Sequence, residues 1–445
     1  MKRILPFTAY LPTEKGSKIL SRLVAPQFDE LAAPVRKVFS ASHKNNFVRF
    51  ESRHPLPRER RKDPNVRMSV AFQEILEKDL FRRADEPAYY LLEINESGQL
   101  VRGIVAMISL DSDLCIFEEL HEGEAADRIF QLEHLNLQTA PILLGVSTDH
   151  NRIGFFDRIC DPLLNRPPLF QISLPSGGTH RVWRITDTAH EIEPWLSRQK
   201  AVLFDGLERY RAAQSLAARL HSSKTLYSPF QTPNFVLAWI VPLENQQLHF
   251  RARHRALRTG ISSVPPQRLL EALEDFFEIE RYPFSNKKQK NRELENLLEE
   301  MDFIGKLNHS YGLYIGDDAF YMLMLRDAEA YERMQNVRHS RRWKRLDITI
   351  LHSLVFERIL GFSGTENAVL ERFRTPVDAH YAIQSVDEGE SEAAFLLNPP
   401  PVAHLIEIAE ARECIPTHSV LPTTRPWVGT LMAPVGADCF VADPT

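Results

Sequence analysis

The chain has 445 residues, of which 43% are hydrophobic and 25% charged, with a formal net charge of −5. That length exceeds one ordinary core, so two or three domains are expected, and the acidic balance disfavours a bulk nucleic-acid binder while leaving a local basic patch open. The start, Met1-Lys2-Arg3-Ile4-Leu5-Pro6, has no apolar leader core, and the longest apolar run (235–243) is interrupted by Pro242 and too short for a bilayer; the expectation is a cytoplasmic protein without a membrane partner. Four scattered cysteines with no CxxC pair disfavour a disulfide framework and a zinc site.

In chain order, apolar periodicity predicts a helix over 66–83, strands at 88–94 and 103–110, a helix at 125–137, and strands at 142–146, 182–185 and 202–204. A helix at 207–221, a strand at 236–241 and a helix at 266–277 follow. Residues 286–301, basic at the start and acidic at the end, read as a solvated helix between domains. Strands at 313–315 and 321–325 and a helix at 346–359 complete the pattern, with turn and linker signals at 55–64, 259–266, 398–401 and 421–426. The fold class is α/β, mixed α+β.

The stretch 202–213 carries the most chemistry. An apolar strand runs into Asp205-Gly206 and directly on into a helix bearing Arg209 and Arg211. Glycine at such a turn admits a ligand close to the backbone, and the first helical turn offers unpaired N–H groups and the positive dipole end to a phosphate. The arginines add permanently charged donors. Asp205 beside an anion needs a reason: it holds Mg²⁺, caps the helix or takes a proton from an attacking hydroxyl. The plain alternative is an Asp-Gly helix cap.

Other clusters are ambiguous. His121-Glu122 before Asp127-Arg128 suits Mg²⁺ or a proton relay, or an exposed loop. His254-Arg255 in a dense cationic run suits phosphate, or a solvated strand end. Residues 338–345, with Arg341, Arg342, Trp343 and Lys344, have the composition of a nucleic-acid patch or of a surface loop. Gly177-Gly178-Thr179-His180 is a phosphate-hugging turn or a hairpin turn. No P-loop, GxGxxG, kinase signature, GxSxG or HExxH motif occurs.

Taken together these residues resemble the domain-of-unknown-function 1015 family, related through its nucleotide-binding motif to ParB, sulfiredoxin and the free serine kinases. Its central Ala-Asp-Gly-His-His-Arg-Tyr resembles Phe204-Asp-Gly-Leu-Glu-Arg-Tyr-Arg-Ala-Ala213, and ParB's Gly-Glu-Arg-Arg-Trp-Arg-Ala is similar at Gly206, Arg209, Arg211 and Ala212. Pro6-Phe7, Val24-Ala-Pro-Gln-Phe-Asp29, His254-Arg255, Leu346-Asp-Ile-Thr-Ile-Leu-His352, Asp387-Glu-Gly-Glu390 and Ala394-Phe395 resemble further family segments in order. Both motif histidines are replaced, by Leu207 and Glu208, and His418 stands where the family has lysine in Met-Pro-Pro-Lys-Ser-Thr, here Ile415-Pro-Thr-His-Ser-Val420.

The resemblance implies a ParB/sulfiredoxin-like nucleotide-binding region at 1–260, an α+β region at 261–345 and a mainly helical region at 346–445 with a closing tail. It implies a nucleotide-dependent kinase for free serine or a similar hydroxylated metabolite, using ATP or ADP with Mg²⁺; the alternative is a non-enzymatic ParB-like nucleotide sensor. Asp205 (as base or Mg²⁺ ligand), His418 and Arg425 are the implied catalytic residues. Gly206, Glu208, Arg209, Arg211, His254 and Arg255 would bind nucleotide, and Asp29, His121, Glu122, Asp127, Arg128 and Ser419 are further candidates. Arg209→Ala is expected to weaken binding without unfolding the domain. A sulfiredoxin-type reductase is disfavoured, because no cysteine lies near Asp205.

Overall fold

The computed structural model describes residues 3–27, 33–51, 64–96, 98–120, 124–147, 154–175, 177–244, 248–262, 264–335, 338–362 and 371–442. Asp29, His121 and Glu122 lie outside them. The contacts gather the chain into two units, each assembled from separate segments: 1–115, 122–248 and 424–445 form one, and 116–121 with 249–423 the other.

The first unit is built on a mixed sheet. Its strands are β1 (Ile4–Leu5), β2 (Tyr89–Glu96), β3 (Gln99–Ser109), β4 (Ile142–Val146), β5 (Phe170–Ser173), β6 (Thr179–Ile185), β7 (Ala201–Asp205) and β8 (Phe235–Pro242). The order is β7-β4-β8-β3-β2-β6-β5, with β1 pairing β3. Only β8 and β4 run parallel among these pairs. All eight residues of β8 are buried, as expected of a central strand covered on both faces. Helices α1 (Glu124–Leu135) and α2 (Leu207–Ser222) pack together, and α2 lies against β8 and β4 of the sheet. Residues 177–180 close the β5–β6 hairpin, where Leu174 N–H donates to Gly178 O (2.8 Å), so the hairpin reading holds there.

The second unit carries an antiparallel six-stranded sheet in the order Phe277–Pro283, Ala319–Leu325, Ser310–Tyr314, Ser391–Leu397, Arg255–Arg258, Phe373–Arg374. Helix α3 (Lys287–Gly305) lies on it. The expected solvated helix is corrected here. Leu294, Leu297 and Met301, spaced i, i+3, i+7, are buried among Phe320, Met322 and Leu396.

Three helix limits are also corrected. The helix Pro64–Glu77 stops before Asp79, whose φ of +53° ends it, and Phe81–Arg83 is a strand paired with Tyr10–Pro12. The helix Pro266–Leu273 gives way to the strand Phe277–Pro283, whose Phe-Glu-Ile-Glu alternation pairs it with Ala319–Leu325. The segment expected as one helix over 346–359 is a single α turn, Asp347–Ile350, followed by a π-helix, Leu351–Ile359.

Candidate functional site

The strand–turn–helix predicted at 202–213 is formed. β7 ends at Asp205, Gly206 sits at φ +86° as the helix N-cap, and α2 begins at Leu207. A Cβ on Gly206 would meet Ile142 Cγ2 at 2.8 Å and Ile142 Cα at 3.1 Å, so this position excludes a side chain twice, by conformation and by space.

Asp205 is gripped by Arg425, whose Nε and Nη2 donate to its two carboxylate oxygens at 2.9 Å each. Arg425 Nη2 also donates to Gln27 Oε1 (3.0 Å), and the Gln27 amide donates to Pro426 O (3.4 Å). Both charged side chains are almost wholly covered. Two residues 220 apart in sequence thus make a planar bidentate pair.

One helical turn on, Arg209 points inward. Its Nη2 donates to Glu51 Oε2 at 2.9 Å and its Nη1 to Thr139 Oγ1 at 3.3 Å. Glu51 has no exposed side-chain surface and also accepts from Arg128 Nη1 (2.8 Å), Gln131 Nε2 (3.0 Å) and Thr139 Oγ1 (3.2 Å). Burial alone would push its carboxyl up, but Arg128 and Arg209 overturn that and hold it down at about 2. Burial and neighbouring Arg128 in turn pull Arg209 below the usual guanidinium value. Glu208 Oε1 lies 3.6 Å from Arg128 Nε and 3.7 Å from Arg209 Nε. The space beside this network, lined by Arg128, Gln131, Thr139 and Arg209, is about 10 Å³, enough for one water.

Three arginines therefore face three carboxylates, and the charges of Glu51, Asp205 and Glu208 balance those of Arg128, Arg209 and Arg425. Arg209, expected as a phosphate ligand, is buried and held in an internal ion pair with Glu51. Arg211 is exposed and donates to Gln214 Oε1 (3.0 Å). The pair was expected to act together, but at about 100° per residue positions 209 and 211 lie on different faces of α2. In this arrangement both Asp205 carboxylate oxygens accept from Arg425, and among the described residues no three His, Cys, Asp or Glu side chains gather as a cage.

His254, Arg255, His418 and Ser419 belong to the second unit, where they meet one another. Arg255 is fully buried and donates to the carbonyls of Arg253 (3.0 Å), His418 (2.9 Å) and Thr417 (3.3 Å). His254 Nδ1 accepts from Leu397 N–H (3.2 Å), and burial pulls its pKa down to about 4, leaving a neutral ring. Neither the open cationic site nor the solvated strand end survives; these residues hold the 417–419 loop. His418 sits at φ +56°, and Ser419 N–H donates to Glu118 Oε1 (2.9 Å). In the basic stretch 338–345, Arg341–Lys344 is a helical turn rather than a loop, Arg341 and Arg345 pair with Glu332, Arg342 pairs with Glu407, and Trp343 Nε1 donates to Cys414 O.

Sequence reasoning missed Glu51, Gln131 and Thr139. Glu51 follows Phe47-Val48-Arg49-Phe50, of which Phe47, Val48 and Phe50 are buried, and a carboxylate directly after such a stretch is the one available signal.

The protein-family sequence profile for DUF1015, described as a protein of unknown function, matches residues 4–349. The chain belongs to this family. No curated protein matches it. Among solved structures, this chain resembles a conserved hypothetical protein from Pyrococcus furiosus (12% identity, 74% of this chain and 93% of that one, TM-score 0.34). It also resembles a free serine kinase mutant in complex with AMP (12%, 72% and 87%, TM-score 0.34) and C-terminally truncated SbnI from Staphylococcus aureus (9%, 72% and 84%, TM-score 0.34). Among the described residues no helix is long and apolar enough to cross a membrane.

Proposed function

We propose that this DUF1015 chain binds a nucleotide at the N-terminus of α2 and acts as a phosphotransferase on a small hydroxylated metabolite, with serine the first acceptor to test. The observation that carries the reading is the Arg425–Asp205 pair set on a glycine-capped helix start. An entering phosphate competes with the Asp205 carboxylate for the Arg425 fork, while the helix start supplies N–H donors and its positive end. Asp205, released by that exchange, becomes a free carboxylate beside the phosphate, placed to accept a hydroxyl proton. The ParB/sulfiredoxin-like character of the first unit and the roles of Gly206 and Glu208 belong to the same reading.

Titration calorimetry with ATP, ADP and CTP tests it. Losing a charge-assisted contact costs about 1.5–3 kcal/mol, so Arg425→Ala should weaken binding by roughly one to two decades while Arg211→Ala leaves it unchanged. Undetectable binding of all three nucleotides to the wild type would sink the reading. A second reading, nucleotide sensing without turnover, is favoured by the replacement of the family's motif histidines by Leu207 and Glu208. Phosphorus NMR of the protein with nucleotide and serine separates them: phosphorylated product supports the kinase, and binding with only background hydrolysis supports the sensor.

A further inference from the structure

The segment that carries Arg425 also carries Trp427, and what lies beneath that indole is unusual. His180, on β6, is fully buried, and among the described residues neither ring nitrogen has a hydrogen-bond partner. Glu96 Oε1 is 3.7 Å from its Nε2, beyond hydrogen-bond reach. Trp427 lies edge-on to the imidazole, with ring centroids 6.0 Å apart and planes at 83°. An indole ring edge leaves both nitrogens idle, an uncompensated loss for a buried polar group.

A second idle donor lies on the same face of the sheet. His180 is opposite Ile94, Ile94 is opposite Val101, and the alternation along β3 puts Val101, Gly103 and Val105 on one side, with Val105 opposite Trp239. The Trp239 indole lies across Gly103, where a Cβ would come within 2.5 Å of its Nε1, and that buried Nε1 has no partner among the described residues either. The segment above this face is tied down by Thr424 Oγ1 to Gln99 (3.3 Å), by Arg425 to Asp205 and Gln27, and by a Val428–Ala25 bridge.

We propose that Trp427 occupies the nucleobase subsite of the nucleotide site, as an internal stand-in for a planar ring. This rests on the nucleotide reading above. Phosphate capture draws Arg425 from Asp205, and because Trp427 is two residues along the same segment, the indole is drawn off His180 with it. The base then takes its place, and its polar edge satisfies the imidazole, which offers one donor and one acceptor, and the Trp239 N–H. One short segment thereby reads both ends of the ligand.

The test is calorimetry on the full chain with inorganic triphosphate and with ATP, GTP, CTP and UTP. The wild type should bind at least one nucleotide more tightly than triphosphate by about ten-fold, the size of one or two buried hydrogen bonds. His180→Leu removes the idle nitrogens; it should lose that margin, leave triphosphate affinity unchanged and melt no lower than wild type. Trp427→Ala, which removes the plug, should tighten the nucleotide and not triphosphate. If His180→Leu binds nucleotide like wild type, or loses stability and both affinities together, the subsite is overturned. Triphosphate binding without any nucleotide margin also overturns it while leaving the phosphate reading intact. Failure of every ligand, triphosphate included, removes that reading as well.

Discussion

Glu51 shows how much one buried carboxylate determines. It accepts hydrogen bonds from Arg128, Arg209, Gln131 and Thr139, and removing one partner of such a pair leaves an uncompensated charge in the interior. Arg209→Ala and Glu51→Gln should therefore each lower unfolding free energy by about 3–5 kcal/mol in denaturant titration, whereas exposed Arg211→Ala should stay within about 0.5 kcal/mol of wild type. Loss of binding in Arg209→Ala would then report a damaged scaffold; Arg425 and Asp205 are nearly as covered, so the affinity of Arg425→Ala is read beside its melting temperature. Equal stability of the Arg209 and Arg211 variants would refute the network's structural importance.

At the scale of elements, the turn between β7 and α2 depends on Gly206. Substitution by alanine combines a left-handed φ with a clash against Ile142 and should cost about 1–3 kcal/mol, with weakened ligand binding because the helix start shifts. Gly98, at φ +77° in the β2–β3 turn with open space around it, provides the control: its alanine variant bears conformational strain alone and should lose less. Comparable melting temperatures for Gly206→Ala and wild type would show that the backbone can relax there. Gly206 was legible in the sequence because a strand pattern ran into Asp-Gly and then into helical spacing. The strand at Phe277–Pro283 was mistaken because its first residue extends the apolar pattern of the preceding helix, and only pairing with Ala319–Leu325 separates the two.

For the whole molecule, the buried ionisable groups predict an acid-sensitive fold with two separate windows. Burial holds His254 at about 4 and His352 well below its ordinary value, both lower than an unfolded histidine, so the folded state binds fewer protons. Stability from these groups is complete above about pH 6.5 and falls as pH drops towards 4. Glu51, held at about 2 against an ordinary 4.5, adds stability that is present above pH 4.5 and lost as pH falls towards 2. Calorimetric melting between pH 7 and 3 should show a decline beginning near pH 6, attenuated in His254→Gln, and a steeper one below pH 4.5, attenuated in Glu51→Gln against its own lower baseline. A melting temperature flat from pH 6.5 to 4.5 would contradict the neutral, buried state of the histidines.

The sequence by itself determined the α/β class, the strand–turn–helix at 202–213 and family membership, because periodicity, glycine at a turn and ordered local motifs are properties of short stretches. Only the tertiary structure decided what the charged residues do. Arg425 reaches Asp205 across 220 positions, Glu51 meets Arg209 across 158, and Arg255 meets the 417–419 backbone across more than 160. An arginine reads the same in sequence whether it waits for phosphate or neutralises a buried carboxylate, since burial and the identity of its partner are set by segments far apart in the chain.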